Sequence, residues 1–190
     1  MPREALRGEV PIGARVAVIG AGGVGVDVSE FLTHAASPTL DLAAWRREWG
    51  VTDTEAAPGA LTDGEPEPSA RTVYLLQRTG GRIGTRLGKT TGWVHRAALA
   101  AKGVELVSGV NYEKIDDEGL HLSVGPEHAD DRVLAVDTIV VCTGQEPVRD
   151  LLDGLRGTGL PVHLVGGADV AAELDAKRAI DQGTRTAAAL

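Results

Sequence analysis

Apolar and polar positions follow one another along the first half of the chain in the pattern of alternating strands and helices. Residues 15–19 (RVAVI) form a short apolar run of strand composition, and Gly20 ends it. Over residues 24–34 the apolar side chains recur at 24, 28, 31 and 32, which is the spacing of one helix face. Residues 72–77 (TVYLLQ) form a second apolar run and predict a buried strand. The pattern therefore indicates a strand, a glycine turn, a helix and another strand.

Residues 35–71 interrupt this pattern between the two strands. Residues 41–49 (DLAAWRREW) predict a short helix with Asp41 near its N-cap. Residues 52–71 hold three prolines among Gly, Asp, Glu and Ser, which is loop composition. Because strand signals of the same type resume afterwards, we interpret residues 35–71 as an insertion.

Shorter periodic segments fill the second half of the chain. Residues 91–102 predict a helix that ends at Gly103, and the alternation over residues 110–141 predicts an antiparallel meander. The meander leads into a final strand at residues 138–141, which its composition predicts to be buried. The other predicted elements are a strand at 104–107, a small helix near 148–156, a strand at 162–165 and a helix from about 169 to 189.

Charge and hydropathy exclude several classes of partner. The chain has 190 residues and a formal net charge of −8, so its surface repels a nucleic acid or an anionic membrane. No apolar run reaches the length of about 18 residues that a membrane-spanning helix needs. The first residues lack the apolar core of a signal peptide. We therefore expect a cytoplasmic protein that binds neither nucleic acid nor membrane.

The side chains that commonly carry catalysis form no constellation in this sequence. Cys142 is the only cysteine, which excludes an intrachain disulfide and a metal site built from several cysteines. The five histidines are scattered and lack metal-ligand spacing. We predict no catalytic residue and no metal ligand, because in a nucleotide-dependent redox protein the cofactor carries the chemistry.

The strongest motif is a complete G-x-G-x-x-G between the first strand and the first helix. Its residues are Gly20, Ala21, Gly22, Gly23, Val24 and Gly25. The first glycine allows a tight turn, the second lets the backbone approach a pyrophosphate, and the third lets helix and strand pack closely. The free N–H groups and the positive end of the helix dipole then face the phosphates. The alternative is a glycine turn that binds nothing.

The end of the second strand indicates which dinucleotide binds. NAD-binding units usually carry an acidic residue there, about 20 residues after the glycine motif. That spacing reaches Asp41, which we reject because its surroundings predict a helix start. The second strand instead ends at Gln77, followed by Arg78, which suits the 2′-phosphate of NADP(H). Further cations follow Arg78 closely and add to the positive charge there: Arg82, Arg86 and Lys89. The alternative is that Arg78 and these three residues are solvated surface charges.

Two further glycine turns follow predicted strands. Gly144 and Gln145 come directly after the strand at residues 138–141, and glycine there permits close approach of the backbone to a cofactor. The second turn could present N–H groups to another nucleotide, and the alternative is a plain tight turn. It consists of Gly166, Gly167, Ala168 and Asp169.

Taken together, these segments resemble bacterial NADPH-dependent 2,4-dienoyl-CoA reductase over nearly the whole chain, from about Leu6 to Leu190. The segments SPTLDLAAW and LGKTTGW are not generic features of dinucleotide-binding domains. Similarity in less detail extends to related flavoproteins such as trimethylamine dehydrogenase. The resemblance is carried by RVAVIGAGGVGVDVSEFL, SPTLDLAAWRREWGV, VYLLQR, LGKTTGWVHRAAL, KGVELVSGVNYEKIDDEGLHL, VVCTGQEP and GGADVAAELDAKRAIDQGTR.

This resemblance implies an α/β fold in two parts. Residues 10–145 correspond to a Rossmann-like three-layer NADPH-binding domain with an antiparallel β-meander and the insertion at 35–71. Residues 146–190 correspond to the C-terminal tail of an incomplete, second α/β domain that binds FAD. In the full enzymes, electrons pass from NADPH to FAD, through a [4Fe–4S] cluster to FMN in a TIM barrel, and on to the dienoyl-CoA.

The resemblance also assigns roles to residues. The six residues Gly20–Gly25 contact the pyrophosphate, Arg78 with Arg82 and Lys89 contacts the 2′-phosphate, and Gly144 and Gln145 lie near the nicotinamide. Gly166, Gly167, Ala168 and Asp169 match the turn that contacts FAD. Many related flavoproteins have Gly-Asp in that turn, whereas the second position here is Gly167, which favours backbone contacts.

Several parts of the full enzymes have no counterpart in these 190 residues. They are the FMN-binding barrel, the cluster cysteines, the substrate acid and the first FAD-binding glycine motif. We therefore expect FMN and [4Fe–4S] only in that absent part, which another chain could supply, and we expect the chain alone to be inactive. A truncation and a remnant without ligand are the other hypotheses. Alternative functions are a non-catalytic nucleotide-binding or redox-sensing protein and another oxidoreductase of the same flavoprotein family.

Overall fold

The chain folds into seven strands and six α-helices within the described residues. The protein is described by a computed structural model that covers residues 2–125, 129–172 and 175–190. The strands are β1 (Arg15–Ile19), β2 (Thr72–Gln77), β3 (Glu105–Ser108), β4 (Val110–Asp116), β5 (Gly119–Val124), β6 (Asp130–Leu134) and β7 (Thr138–Val141). The helices are α1 (Pro2–Leu6), α2 (Gly23–Thr33), α3 (Leu42–Trp49), α4 (Gly92–Ala101), α5 (Leu152–Arg156) and α6 (Ala176–Ala188).

Two compact units, Met1–Thr143 and Gly144–Leu190, make up the chain. In the first unit four parallel strands form a sheet in the order β3–β2–β1–β7. The antiparallel strands β4, β5 and β6 form a separate sheet in that order. The predicted α/β fold with an antiparallel meander is confirmed.

The alternation along β1 separates two apolar cores. Val16 and Val18 are fully buried on the face covered by α2 and α4, where they pack with Leu32 and Leu99. Ala17 points the other way and packs against a cluster that includes side chains of β4 and β5. Because successive side chains of a strand face opposite sides, the parallel sheet lies between a helical layer and the antiparallel sheet.

The insertion at residues 35–71 is fastened to the end of α4. The carboxylate of Asp41 accepts a hydrogen bond from Ala44 N at 2.9 Å, so it caps α3 as predicted. Nζ of Lys102 lies 2.8 Å from a carboxylate oxygen of Glu48 on α3 and donates to Glu67 O at 3.0 Å. The Lys102 side chain is only 3% exposed. Its buried ammonium therefore connects the insertion to the end of α4.

Three predictions from the sequence are wrong in detail. Strand β7 was expected to be buried, but it lies at the sheet edge and, of its residues, only Val140 is buried. Residues 162–165 form no strand, since no other strand in the described ranges pairs with them and a lone strand has no ladder of hydrogen bonds. The last helix begins at Ala176, where Asp175 caps it, rather than near 169; residues 173 and 174 lie outside the described ranges.

The second unit has little core of its own. Among its described residues only Gly166 and Ala171 are buried. Its exposed large apolar residues are Val148, Leu151, Leu155, Leu160, Val165, Val170, Ile180 and Leu190. In neither unit is a described helix both long and apolar enough to cross a membrane.

Candidate nucleotide-binding site

The glycine motif and the cationic end of β2 meet at one edge of the parallel sheet. Ile19 at the end of β1 pairs with Leu76 of β2, and Gly20 N donates a hydrogen bond to Leu76 O at 2.9 Å. On the other side Cys142 N donates to Ile19 O at 2.7 Å. Ligands of parallel α/β sheets bind outside the carboxyl ends of the strands. The structure therefore brings the Gly20 turn and Arg78 to the expected edge.

The first and last glycines of the motif are required by packing. Gly20 has φ +106°, and a Cβ there would lie 2.8 Å from Cys142 O. Gly25 is buried, and a Cβ on it would overlap the carbonyl oxygen of Gly20. Both atoms belong to the main chain and cannot swing aside. These two positions admit only glycine because strand and helix approach so closely.

The glycines between them face open space instead. A Cβ on Gly22 or Gly23 would meet no protein atom within 4 Å, and both residues are exposed together with Val24. Ala21 is half-buried and packs against the helix-side core. The opening therefore lies directly at the start of α2 and is bounded by backbone.

The electrostatics of this helix start suit an anion. Gly22 is the N-cap of α2 and offers no side-chain acceptor to the first N–H groups, and the first turn contains no acidic residue. The helix dipole therefore meets no carboxylate of its own helix at this end. The residues present fit a pyrophosphate, because it would accept hydrogen bonds from the N–H groups that no side chain caps.

Arg78 follows β2 and is exposed. Within the described ranges its guanidinium forms no hydrogen bond or ion pair with another residue. Tyr112 on β4 lies near it: burial raises the pKa of Tyr112 to about 12, and the charge of Arg78 acts in the opposite direction. The phenol is therefore neutral near pH 7, and the Arg78 charge is available to a ligand.

Arg82 and Lys89 lie on the loop between β2 and α4, and both are exposed. The loop is anchored by Ile83, which is only 4% exposed in the helix-side core. Nη1 of Arg96 on α4 also donates to Gly84 O at 2.9 Å. The backbone of the loop is thus held at Ile83 and Gly84 while the two cationic side chains project into solvent.

Cys142 lies beside the Gly20 turn but lacks the properties of a nucleophile. It is half-buried, and burial raises the pKa of its thiol to about 11. The reactive thiolate is therefore scarce at neutral pH. The geometry assigns Cys142 a packing role.

The remaining predicted residues belong to the second unit. Gly144, with φ +76°, and Gln145 are exposed. Gly166, with φ +59°, opens a 3-10 turn that ends at Ala168 rather than the last helix, which corrects the expectation of a strand–glycine–helix junction. Gly167, Ala168 and Asp169 are half-buried.

Two side chains that belong to no sequence motif, Gln182 and Arg149, hold this second turn. Gln182 on α6 accepts from Gly166 N at 2.8 Å and donates to a carboxylate oxygen of Asp169 at 2.7 Å. Arg149 donates to the carbonyl oxygens of Ala168 and Asp169. The Gly166 N–H group and the Asp169 carboxylate thus have partners inside the unit, which leaves Gly167 and Ala168 at the centre of the turn.

Within the described residues, one group of potential metal ligands is brought together that no spacing in the sequence indicates. At the β4–β5 turn the potential ligand atoms of Asp116, Glu118 and His121 lie within 4.8 Å of one another. However, Nζ of Lys114 lies 2.7 Å from the Asp116 carboxylate, and His121 Nε2 lies 2.8 Å from it. Hydrogen bonds from Lys114 and then His121 hold the pKa of Asp116 well below its usual range. The Lys114 ammonium already neutralises this carboxylate.

Comparison with known proteins places the chain in a family. Residues 3–178 match the family described as pyridine nucleotide-disulphide oxidoreductase. The match covers both the glycine motif and the turn at residues 166–168.

Solved structures with the same fold are much longer proteins. A 2-naphthoyl-CoA reductase complex shares 19% identity over 95% of this chain, with a TM-score of 0.65. A 6-hydroxypseudooxynicotine amine oxidase from Pseudomonas geniculata N1 shares 18% over 97%, with a TM-score of 0.63. Histamine dehydrogenase from Rhizobium sp. 4-9 shares 14% over 98%, with a TM-score of 0.65. The chain spans 22%, 23% and 25% of their respective lengths.

Proposed function

The chain belongs to the family of pyridine nucleotide-disulphide oxidoreductases, and we propose that its Gly20–Gly25 turn holds the pyrophosphate of NADP(H). Members of this family are oxidoreductases that bind NAD(P) and FAD. The observation that carries the proposal is the contrast within the motif. A Cβ at Gly20 or Gly25 would clash with main-chain atoms. Gly22 and Gly23 instead face solvent at a helix start that no side chain caps. Backbone contacts to a pyrophosphate require that arrangement.

The preference for NADP(H) over NAD(H) rests on charge at the end of β2. Arg78 has no competing carboxylate partner in the described ranges, and Arg82 and Lys89 are exposed on the following loop. NADP(H) differs from NAD(H) by the 2′-phosphate, which is the group that an unpaired guanidinium recognises. We assign Arg78 the main contact and the other two cations supporting ones.

Residues 146–190 complete the proposal as the tail of an FAD-binding domain. NADPH, when bound, supplies a hydride, and FAD is its acceptor in the proposed reaction. The role of the chain is to hold the dinucleotide through residues 10–145, with Gly144 and Gln145 near the nicotinamide. Gly166, Gly167, Ala168 and Asp169 would contact FAD. Gly167 and Ala168 are the stronger assignments, because Gln182 engages both Gly166 and Asp169.

For the parent reaction we propose reduction of a 2,4-dienoyl-CoA in unsaturated fatty-acid β-oxidation, on the strength of the resemblance in sequence. The solved structures of the same fold include a CoA-thioester reductase and two amine-oxidising enzymes. Fold alone does not choose between these substrates. FMN and a [4Fe–4S] cluster would belong to a barrel outside these 190 residues, because a single cysteine cannot ligate the cluster.

Thermal unfolding with ligands tests the nucleotide site. A ligand that binds only the folded state at about 100 times its Kd raises the free energy of unfolding by about 2.7 kcal/mol. We expect NADPH, and the adenosine fragment 2′,5′-ADP, to raise the Tm, while NADH does so only at higher concentration. Absence of any shift with all three compounds would contradict the proposal and support a remnant that binds no nucleotide.

A turnover assay separates the module from a complete enzyme. The 190-residue chain should bind NADPH without oxidising it in the presence of FAD and a dienoyl-CoA. Oxidation of NADPH with formation of the reduced CoA ester would show that the chain is complete by itself.

A further inference from the structure

The short turn that carries Arg78 is fixed on its C-terminal side by two hydrogen bonds. The side-chain Nε2 of Gln77 reaches across Arg78 and donates to Thr79 O at 2.7 Å. Gly109 N, in the turn between β3 and β4, donates to the same oxygen at 3.3 Å. A carbonyl oxygen has two lone pairs, so Thr79 O is fully used and the backbone around Arg78 is restrained.

This turn is also supported by the antiparallel sheet. Gly125, at the end of β5, donates its N–H to Gly109 O at 3.0 Å. Nδ2 of Asn111 donates to Gly125 O at 3.1 Å. Gly109 has φ +72°, and a Cβ there would lie 3.9 Å from Gly80 Cα. A line of contacts therefore runs from the second sheet to the residues directly after Arg78.

The Arg78 side chain contrasts with its restrained backbone. Its guanidinium has no hydrogen bond or ion pair in the described parts of the chain, and the residue is exposed. Holding a long side chain against a ligand costs conformational entropy. A fixed turn lowers that cost, because a restrained backbone limits the conformations that the Arg78 side chain samples before the ligand binds.

We propose that Gln77 is a positioning residue for Arg78, whose amide holds the turn from which the guanidinium reaches the 2′-phosphate of NADP(H). The inference rests on the proposed function, since it requires Arg78 to contact that phosphate. Gln77 itself touches Thr79 O and not the nucleotide. It should therefore affect the affinity for NADPH and leave that for NADH, which has a hydroxyl in place of the phosphate, unchanged.

A double-mutant cycle tests this coupling in the full chain. Gln77→Met keeps the side-chain length and removes the N–H donor. Calorimetric Kd values for NADPH and NADH are measured for wild type, Gln77→Met, Arg78→Ala and the double variant. We expect Gln77→Met to raise the Kd for NADPH about two- to tenfold, which corresponds to the net contribution of one hydrogen bond. NADH affinity should not change, and the substitution should have no further effect in the Arg78→Ala background.

The outcomes separate the inference from the proposed function. If Gln77→Met weakens the binding of NADPH and NADH equally, Gln77 only supports the fold. The same conclusion follows if the substitution still weakens NADPH binding in the Arg78→Ala background. If Arg78→Ala removes the preference for NADPH while Gln77→Met leaves the affinity for NADPH unchanged, the inference alone is wrong. If Arg78→Ala leaves the preference intact, both are wrong. Gln77→Thr, which favours the strand conformation, replaces Gln77→Met in the cycle if the methionine variant does not fold.

Discussion

Two single-methyl substitutions within the glycine motif should have opposite consequences. In Gly25→Ala the new Cβ overlaps the main-chain oxygen of Gly20. Relief requires the start of α2 to move away from β1, and overpacking of this kind costs about 1–3 kcal/mol or more. For a domain of this size each kcal/mol lowers the Tm by about 2–4 °C. We therefore expect Gly25→Ala to lower the Tm by about 6–12 °C at the upper end of that cost.

Gly22→Ala adds the same methyl group to open space. Gly22 has φ −77°, which alanine adopts without strain, and its Cβ meets no protein atom within 4 Å. The fold loses only the advantage of glycine over alanine at an N-cap, which is below about 1 kcal/mol. The methyl group nevertheless occupies the space through which a pyrophosphate approaches. NADPH affinity should fall about tenfold or more, which corresponds to about 1.4 kcal/mol.

Thermal unfolding and calorimetric titration with NADPH measure both effects. Gly183→Ala serves as the control, because this helical glycine also faces open space and lies on α6; it should bind NADPH as wild type does. The reasoning is refuted if Gly25→Ala unfolds at the wild-type temperature, or if Gly22→Ala folds normally and binds NADPH with unchanged affinity.

Three further predictions concern stability and reactivity. Lys102→Met removes the close cation from the Glu48 carboxylate, which is 15% exposed and keeps His34 Nε2 at 3.7 Å. Denaturant titration should therefore show a loss of up to about 3 kcal/mol, the lower end of the range for breaking a fully buried pair; an unchanged midpoint would show that the ion pair does not contribute to stability. Hydrogen bonds from Arg15 lower the pKa of Asp137, so its stabilising effect is full above the ordinary aspartate value near 3.9 and disappears as the pH falls through the lower folded value. Below about pH 4 the Tm of wild type should therefore fall more steeply than that of Asp137→Asn, and parallel curves would contradict this. Cys142, with a pKa of about 11, should be alkylated at pH 8 roughly a hundredfold more slowly than an ordinary thiol, and a rate like that of free cysteine would show that the side chain is not half-buried.

Local signals were sufficient where several of them agreed. Strand β2 has the predicted bounds at residues 72–77, because its apolar run is closed by polar residues on both sides. Asp41 caps α3 as predicted, so its carboxylate already has a partner within the insertion. The glycine motif follows β1 and opens α2, because glycine is the residue that its tight turn and close packing require.

Predictions failed where the structure depends on residues distant in sequence. Residues 162–165 have strand composition but no pairing strand in the described ranges, and composition does not report on a partner. The helix predicted from about 169 begins at Ala176, where the Asp175 carboxylate accepts from Arg178 N, and Gly166–Ala168 form a 3-10 turn. In the same way, the contact of Lys102 with Glu48 joins two elements that lie far apart in the chain.

A candidate site could be proposed from sequence, but the contacts that support it in the structure could not be predicted. The motif indicated where a pyrophosphate would lie, and the end of β2 indicated Arg78. Nothing in the sequence indicated that the Gln77 amide donates across Arg78 to Thr79 O, or that Gly109 N donates to the same oxygen from the turn between β3 and β4. These contacts depend on register and turn geometry, which hydrophobic periodicity does not specify.

The affinity ratio between NADPH and NADH tests the central claim most directly. If Arg78 contacts the 2′-phosphate, NADPH should bind more tightly by about 1.5–3 kcal/mol, the scale of a charged hydrogen bond, which is about 10- to 150-fold. Arg78→Ala should remove this difference, whereas Arg47→Ala, an equal change of charge at an exposed position of the insertion, should preserve it. Equal affinities in wild type, or a preference for NADH, would contradict the account.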